Sequence, residues 1–395
     1  MAHTPISSKF TDRVSSLKPE GAYAVLARAQ ALEAQGRKII HLEIGQPDFP
    51  TPLHVSEAGI DAIRSGKTKY NPPAGVQKFR EVIADYAGRQ RGINIDAAQV
   101  VVGTGSKPGL FFPTLALVSP GDEVIYPDPG FPTYEAMIRV AGGVPVPIPL
   151  REENQFSFDL DVFDSKISDR TRLVILNSPG NPTGGVIPLE DLRHIAGKVI
   201  EHNAWVITDE IYTRLVYDGV IANSIAEIDG MQERTIIVDG FSKTYSMTGW
   251  RLGYMITPVE LAERLELLMT HATGCTATFT QYAGIEALTG PQDFVSEMVK
   301  EYQNRRDRML SLVNAIPGVH AQTPQGAFYL FPNIKATGLT SKDIAARLID
   351  EAGVAILSGT DFGSGGEGYI RLVYANSMEK IEEGVDRITK WFNNL

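Results

Sequence analysis

The chain has 395 residues, 43% hydrophobic and 21% charged, enough for two or three domains of about 100–200 residues with a sizeable core, which excludes wholesale disorder. Its 37 Lys and Arg against 47 Asp and Glu leave a net charge of −10, which disfavours nucleic acid or an anionic membrane surface as the main partner. A single cysteine, Cys275, excludes an internal disulfide and a cysteine-cluster metal site and fits a reducing, cytoplasmic setting.

From the amino terminus, Met1 to Lys18 lacks the apolar stretch of a signal peptide. A predicted helix (Ala22–Gln35) and short strand (Ile39–Leu42) follow, too little for a core and so expected to pack on another domain or on a partner subunit. A helix over Gly75–Arg91 precedes seven runs rich in Val and Ile that read as strands: Gln99–Val102, Glu123–Tyr126, Val144–Ile148, Arg172–Leu176, Trp205–Thr208, Thr235–Val238 and Arg251–Ile256. Several are almost continuously apolar, as strands covered by helices on both faces are. The longest apolar run, Leu110 to Val118, is too short to span a bilayer and contains Pro113. Helices such as Leu189–His202 between the strands predict an α/β fold with a mostly parallel seven-stranded sheet.

Beyond about residue 290 the texture becomes α+β. A long helix over Asp293–Ala315 is expected to bury Phe294, Met298, Met309 and Leu312 and to expose Glu301, Arg305, Arg306 and Arg308. A strand at Gly326–Phe331, a helix at Ser341–Ala352, a strand at Ile370–Val373 and a helix from Glu379 complete a smaller domain. The expected division is a large domain at 46–290 and a discontinuous small domain made of 1–45 and 291–395.

Four segments carry chemistry. Lys243 stands in a small polar loop after a strand, with Arg251 eight residues on. A desolvated lysine attacks aldehydes and an arginine fork suits phosphate, so the pair suggests an aldehyde-bearing phosphate ester; a solvated surface pair is the competing reading. Asn177-Ser178-Pro179-Gly180-Asn181-Pro182-Thr183-Gly184 is a turn at a strand's carboxyl end, where open α/β sheets bind ligands. Asp209, closing another strand, is either a partner for a cationic ring nitrogen or a helix cap. Gly103 to Gly109 leads into an apolar helix and suits a phosphate, but it matches neither a Walker nor a dinucleotide pattern.

Together these segments resemble the class I/II aminotransferases, pyridoxal-phosphate enzymes of fold type I, the aspartate aminotransferase fold. The resemblance runs from Gly45-Gln46-Pro47-Asp48-Phe49 through Lys67-Thr68-Lys69-Tyr70-Asn71-Pro72-Pro73-Ala74-Gly75 to Arg371, and Met247-Thr248-Gly249-Trp250-Arg251 places it nearest the prokaryotic branch. It implies that Lys243 joins the cofactor aldehyde as an imine and then acts as base and acid, and that Asp209 pairs with the pyridine nitrogen. Tyr212 and Asn181 would bond the ring oxygen, and Phe131 would stack on the ring, although the residues alone read Phe131 as a core aromatic. Gly105, Ser106, Lys107, Ser242 and Arg251 would hold the phosphate, with Tyr70 reaching it from the neighbouring subunit of a homodimer with shared sites. Arg371, a surface residue on bare reading, would clamp the substrate α-carboxylate under Gly45.

The implied reaction moves an amino group from an L-amino acid to a 2-oxo acid in ping-pong fashion. A lyase or amino-acid oxidase on the same fold and a non-enzymatic effector module are the alternatives. Lys18-Pro19-Glu20-Gly21-Ala22 departs from the Ser/Thr-bearing form of aspartate-specific relatives. Lys107 remains as a cation for a side-chain carboxylate, opposed by Glu20, while Tyr23 would suit an apolar or aromatic side chain. The seven histidines, His3, His41, His54, His194, His202, His271 and His320, lack metal-binding spacing, and Cys275 reads as a packed residue rather than a nucleophile.

Overall fold

A computed structural model describes residues 10–15 and 17–395. His3 and most of the segment read for a leader lie outside the described residues.

Twelve strands occur among the described residues, in chain order. They are β1 (Ile40–His41), β2 (Val100–Gly103), β3 (Glu123–Asp128), β4 (Val144–Pro149), β5 (Thr171–Asn177), β6 (Trp205–Asp209), β7 (Thr235–Gly240), β8 (Gly253–Ile256), β9 (Tyr329–Leu330), β10 (Val354–Ala355), β11 (Leu357–Ser358) and β12 (Ile370–Val373). Strands β2 to β8 form one seven-stranded sheet in the order β2-β8-β7-β6-β5-β3-β4, in which β8 pairs antiparallel with both neighbours and the other pairs are parallel. All seven predicted sheet strands are present, with ends shifted by a residue or two.

The composition of these strands explains their places. Along β5 and β7, Leu173, Ile175, Ile236 and Val238 point into one apolar layer, while Val174, Leu176 and Ile237 point to the opposite face. Helices cover both faces, so alternate Val and Ile side chains are each buried, at about 1.5–3 kcal/mol per side chain removed from water. Strand β4 reads Val-Pro-Val-Pro-Ile-Pro and lies at the sheet edge, where prolines that donate no hydrogen bond are tolerated.

A separate apolar cluster gathers Tyr302, Phe328, Leu372 and Trp391 from the carboxyl-terminal part together with Ile40 and Leu42. Strand β1 pairs in parallel with β10, Ile40 opposite Val354, so the amino-terminal segment packs on the carboxyl-terminal elements. The predicted strand over Gly326–Phe331 shortens to β9, and the predicted helix over Ser341–Ala352 is α-helical to Arg347 and then widens into a π-helical turn.

One expectation is corrected. In the helix Asp293–Asn314, Arg305 and Arg306 are buried rather than solvated. Arg305 reaches Asp48 (2.8 Å) and lies over the Phe49 ring; Arg306 reaches Asp218 (2.6 Å) and lies over the Tyr217 ring. Helical periodicity sees only the helix's own face, whereas these partners return from segments far away in sequence.

Candidate active site

The carboxyl ends of β2, β5, β6 and β7 converge on one cavity of about 660 Å³. This is where open α/β sheets bind ligands, because the strands stop there and their turns fan apart. Among the sequence-selected residues, Gly45, Ser106, Lys107, Phe131, Asn181, Asp209, Tyr212, Ser242, Lys243, Arg251 and Arg371 all line it. Gly105 sits just behind the lining. Tyr70 is 98% exposed and lies outside the cavity lining.

Lys243 lies in the short helix Phe241–Thr244 that follows β7. Its ammonium donates to the Gly45 carbonyl at 2.5 Å and stands over the Phe328 ring. Loss of hydration, then the nearby Arg371 and Arg251 guanidiniums, lower its pKa to about 8. An appreciable neutral fraction therefore exists near pH 7–8, the form that attacks an aldehyde or takes a proton.

Asp209 ends β6 with its carboxylate buried, accepting from the Tyr134 hydroxyl (2.8 Å) and the Ile211 N–H (3.3 Å). Burial raises its pKa to about 6, partly offset by those two donors, so at neutral pH it is mostly the anion. No helix follows Asp209, so the helix-cap reading falls away: the Ile211 contact closes a turn, and the carboxylate is held at the cavity wall. Asn177 fixes the neighbouring turn: its side chain donates to the Asp209 carbonyl (3.0 Å) and accepts from the Asn181 N–H (2.9 Å). The Tyr212 and Tyr329 hydroxyls meet at 2.5 Å.

The loop after Lys243 is held against its intrinsic preference. Ser246 and Arg251 both have positive φ, at a cost of about 1–3 kcal/mol each. Arg251 is kept there by bonds from its guanidinium to the carbonyls of Thr248 (3.0 Å) and Thr104 (3.3 Å). Gly105, at φ +85°, lies flat beneath that guanidinium; a Cβ there would land on it. A Cβ on Gly253 would in turn come within 2.5 Å of the Gly105 carbonyl carbon. Two glycines therefore let the Arg251 fork and the start of the helix Lys107–Leu117 face the same corner, where Pro108 has no N–H and the Gly109 N–H is taken by the Ser106 carbonyl (2.9 Å).

Arg371 leaves β12 and is buried, not at the surface. Its Nη1 donates to Asn181 Oδ1 at 3.0 Å, its Nη2 donates to the Glu43 carbonyl, and its Nε has no partner. The rings of Tyr329 and Phe362 flank it at 4.5 and 4.8 Å. Burial lowers its pKa from the usual arginine value, countered by Tyr329 and Tyr212. Gly45 passes so close to the Tyr329 hydroxyl that a side chain there would collide with it.

Tyr134, Tyr329 and Asn177 also shape the site and were not selected from the sequence. Tyr134 stands three residues after Phe131 and Asn177 four before Asn181, so proximity is the available signal; Tyr329 reads only as an apolar strand residue. Lys107 meets Glu20 at the mouth of the cavity and lies over the Phe131 ring. Cys275 is half-buried, and among the described residues no group of His, Cys, Asp and Glu is arranged for a metal ion. No described helix is long and apolar enough to cross a membrane.

A buried lysine of lowered pKa, an anionic carboxylate, an arginine fork over glycines and a second arginine with a free N–H define a site for a phosphorylated aldehyde and a carboxylate-bearing substrate. Comparison with known proteins agrees. The family described as aminotransferase class I and II matches residues 37–388. An aromatic-amino-acid aminotransferase from Thermococcus litoralis is 39% identical over 96% of this chain and 97% of its own. An aspartate aminotransferase from Pyrococcus abyssi is 42% identical over 90% and 92%. The solved structure of Thermus thermophilus aspartate aminotransferase with maleate superposes with a TM-score of 0.92 at 37% identity, covering 96% of this chain and 99% of that one.

The chain belongs to the class I and II aminotransferase family. It is a pyridoxal-phosphate-dependent transaminase of the fold expected from sequence, and the relatives stand with that reading rather than with a lyase, an oxidase or an effector module.

Proposed function

We propose that Arg371 takes the α-carboxylate of an L-amino acid, that Lys243 moves its α-proton, and that the donors include aspartate or glutamate and aromatic amino acids. The observation that carries this is Arg371: a buried guanidinium, fixed on two nitrogens by Asn181 and the Glu43 carbonyl and unpartnered on Nε, lining the same cavity as Lys243. A carboxylate satisfies such a fork, and burial makes that contact stronger than it would be in water.

The remaining residues fit pyridoxal phosphate, which supplies an aldehyde for the amino group and a ring that accepts electron density. Asp209 would hold the ring nitrogen, Tyr212 and Asn181 the ring oxygen, and Phe131 the ring face. Ser106, Ser242, Arg251 and the backbone around Gly105 and Lys107 would hold the phosphate, joined in a homodimer by the partner subunit's Tyr70. The Lys243 amine, neutral in part at physiological pH, takes the proton from the substrate Cα. Arg371 and Gly45 hold that carbon beside it, and the apolar rings of Phe131, Tyr329 and Phe328 keep water from the proton. We read 46–290 as the domain that carries these cofactor contacts and 1–45 with 291–395 as the domain that brings Arg371. A cytoplasmic setting accords with the lone cysteine.

The names of the relatives support both donor classes, and so does the lining. Tyr23, Leu26 and Ile44 are apolar neighbours for an aromatic ring, and Lys107 is a cation for a second carboxylate. Single-turnover mixing of the holoenzyme with a panel of amino acids tests the proposal. Loss of the aldehyde absorbance with one equivalent of 2-oxo acid is expected; steady ammonia release without a 2-oxo acceptor would overturn it.

A further inference from the structure

We propose that Glu20 sets donor specificity by occupying Lys107, so that neutral and aromatic donors bind with the pair intact while aspartate or glutamate must displace it. This rests on the reading that Arg371 holds the α-carboxylate and that the donor side chain extends toward Lys107.

Glu20 immediately precedes the helix Gly21–Glu33, in extended backbone conformation. Glu20 does not cap that helix: its side chain makes no bond to the first helical N–H groups. Its Oε1 instead accepts from the Lys107 ammonium and, at 3.4 Å, from the Thr133 hydroxyl. Both Glu20 and Lys107 line the cavity, as do Ala22, Tyr23 and Leu26 from the same helix.

A second carboxylate stands in this corner, beside the Arg371 guanidinium. Asp361 packs directly on Gly21, so closely that a Cβ there would overlap its carboxyl group. A side pocket of about 30 Å³ joins Glu20, Asp361, Phe131, Phe362 and Arg371. A donor carboxylate placed against Lys107 would meet Glu20 at contact range, whereas an aromatic side chain adds no charge and lies against Tyr23 and Leu26.

The pair is weak enough to be exchanged. Its side chains are 46% and 27% exposed, and ion pairs so open to water contribute about 0–1 kcal/mol. Glu20 therefore discriminates without blocking: a second carboxylate can replace it on Lys107, but only after displacing a charge of its own sign.

The test compares aspartate with phenylalanine in the holoenzyme. Glu20→Gln is expected to raise the ratio of their kcat/KM values about tenfold in favour of aspartate, chiefly through a lower KM for aspartate. Glu20→Asp should keep the ratio near the parent value. The gain should vanish in Glu20→Gln combined with Lys107→Met, because it acts through the freed ammonium. Maleate titrated against cofactor absorbance gives a turnover-independent readout and should bind more tightly to Glu20→Gln. Turnover of both donors with a ratio unmoved by Glu20→Gln, or a gain that survives Lys107→Met, would overturn the gate alone. A parent holoenzyme that converts neither donor would overturn the underlying reading and the gate with it.

Discussion

Two clusters of charge meet the carboxyl ends of β6 and β7 and differ in what they leave unfinished. In the first, Arg91 lies between Glu210 (2.7 Å) and Asp239 (3.6 Å). Glu210 also accepts from Ser224 (2.5 Å) and Thr208 (3.1 Å), and Asp239 from Tyr254 (2.9 Å) and the Gly240 N–H (2.6 Å). Burial works against the Arg91 charge, yet Glu210, Tyr254 and Asp239 hold its pKa above the ordinary value. None of these buried side-chain atoms lacks a partner. In the second cluster, one residue away along β6, Asp209 has only a hydroxyl and one backbone N–H, Lys243 is pushed toward neutrality, and Arg371 keeps a bare Nε.

The same strand ends thus carry a closed network that fixes their geometry and an open one with bonding capacity left for a ligand. A buried polar atom without a partner costs about 1–3 kcal/mol, so its persistence beside a cavity marks a binding function, whereas complete satisfaction marks a scaffold.

Substitutions can break this contrast, and the largest effect is expected at Lys243. Lys243→Ala should lower transamination by about 10⁴-fold or more with thermal stability retained, measured by coupled assay and melting. Stability should instead suffer most in the closed cluster. Arg91→Met leaves two buried carboxylates facing each other and should cost about 3–5 kcal/mol in denaturant unfolding, while the folded fraction still takes up cofactor. Arg371→Met should lower kcat/KM for amino donors about a hundredfold, mostly through KM, in steady-state kinetics. Undiminished activity there would place the α-carboxylate elsewhere.

The smallest effect is a pH profile. Only the neutral amine captures an aldehyde, and the Lys243 pKa is lowered to about 8. The rate at which cofactor-free protein regains its cofactor should therefore rise with pH and reach half its plateau near 8. A midpoint above 10 would mean an ordinary solvated lysine.

Much of the fold was legible because buried parallel strands are written as continuous Val and Ile runs, and the sheet ends at Asn177, Asp209 and Gly240 fall where strand pattern gives way to turn residues. Even the proline-laden β4 was readable, since alternation survives at an edge. What lay hidden depends on distant segments meeting. Arg305 and Arg306 look solvated until Asp48 and Asp218 arrive, and Arg371 looks like a surface residue until Asn181 and the Glu43 carbonyl bind it. Tyr329 carries no local sign that its hydroxyl meets Tyr212. The Glu20–Lys107 opposition was implied by the family resemblance, not by charge alone; that the two form a direct ion pair became visible only in the fold.

The central claim is that the amine at position 243 carries the cofactor, and one measurement addresses it without relying on turnover. Holoenzyme is reduced with borohydride, digested and analysed by peptide mass. The account predicts one stoichiometric cofactor adduct on the peptide that contains Lys243. An adduct confined to Lys107 or any other lysine, or no adduct in a protein that retains the cofactor's absorbance, would contradict it.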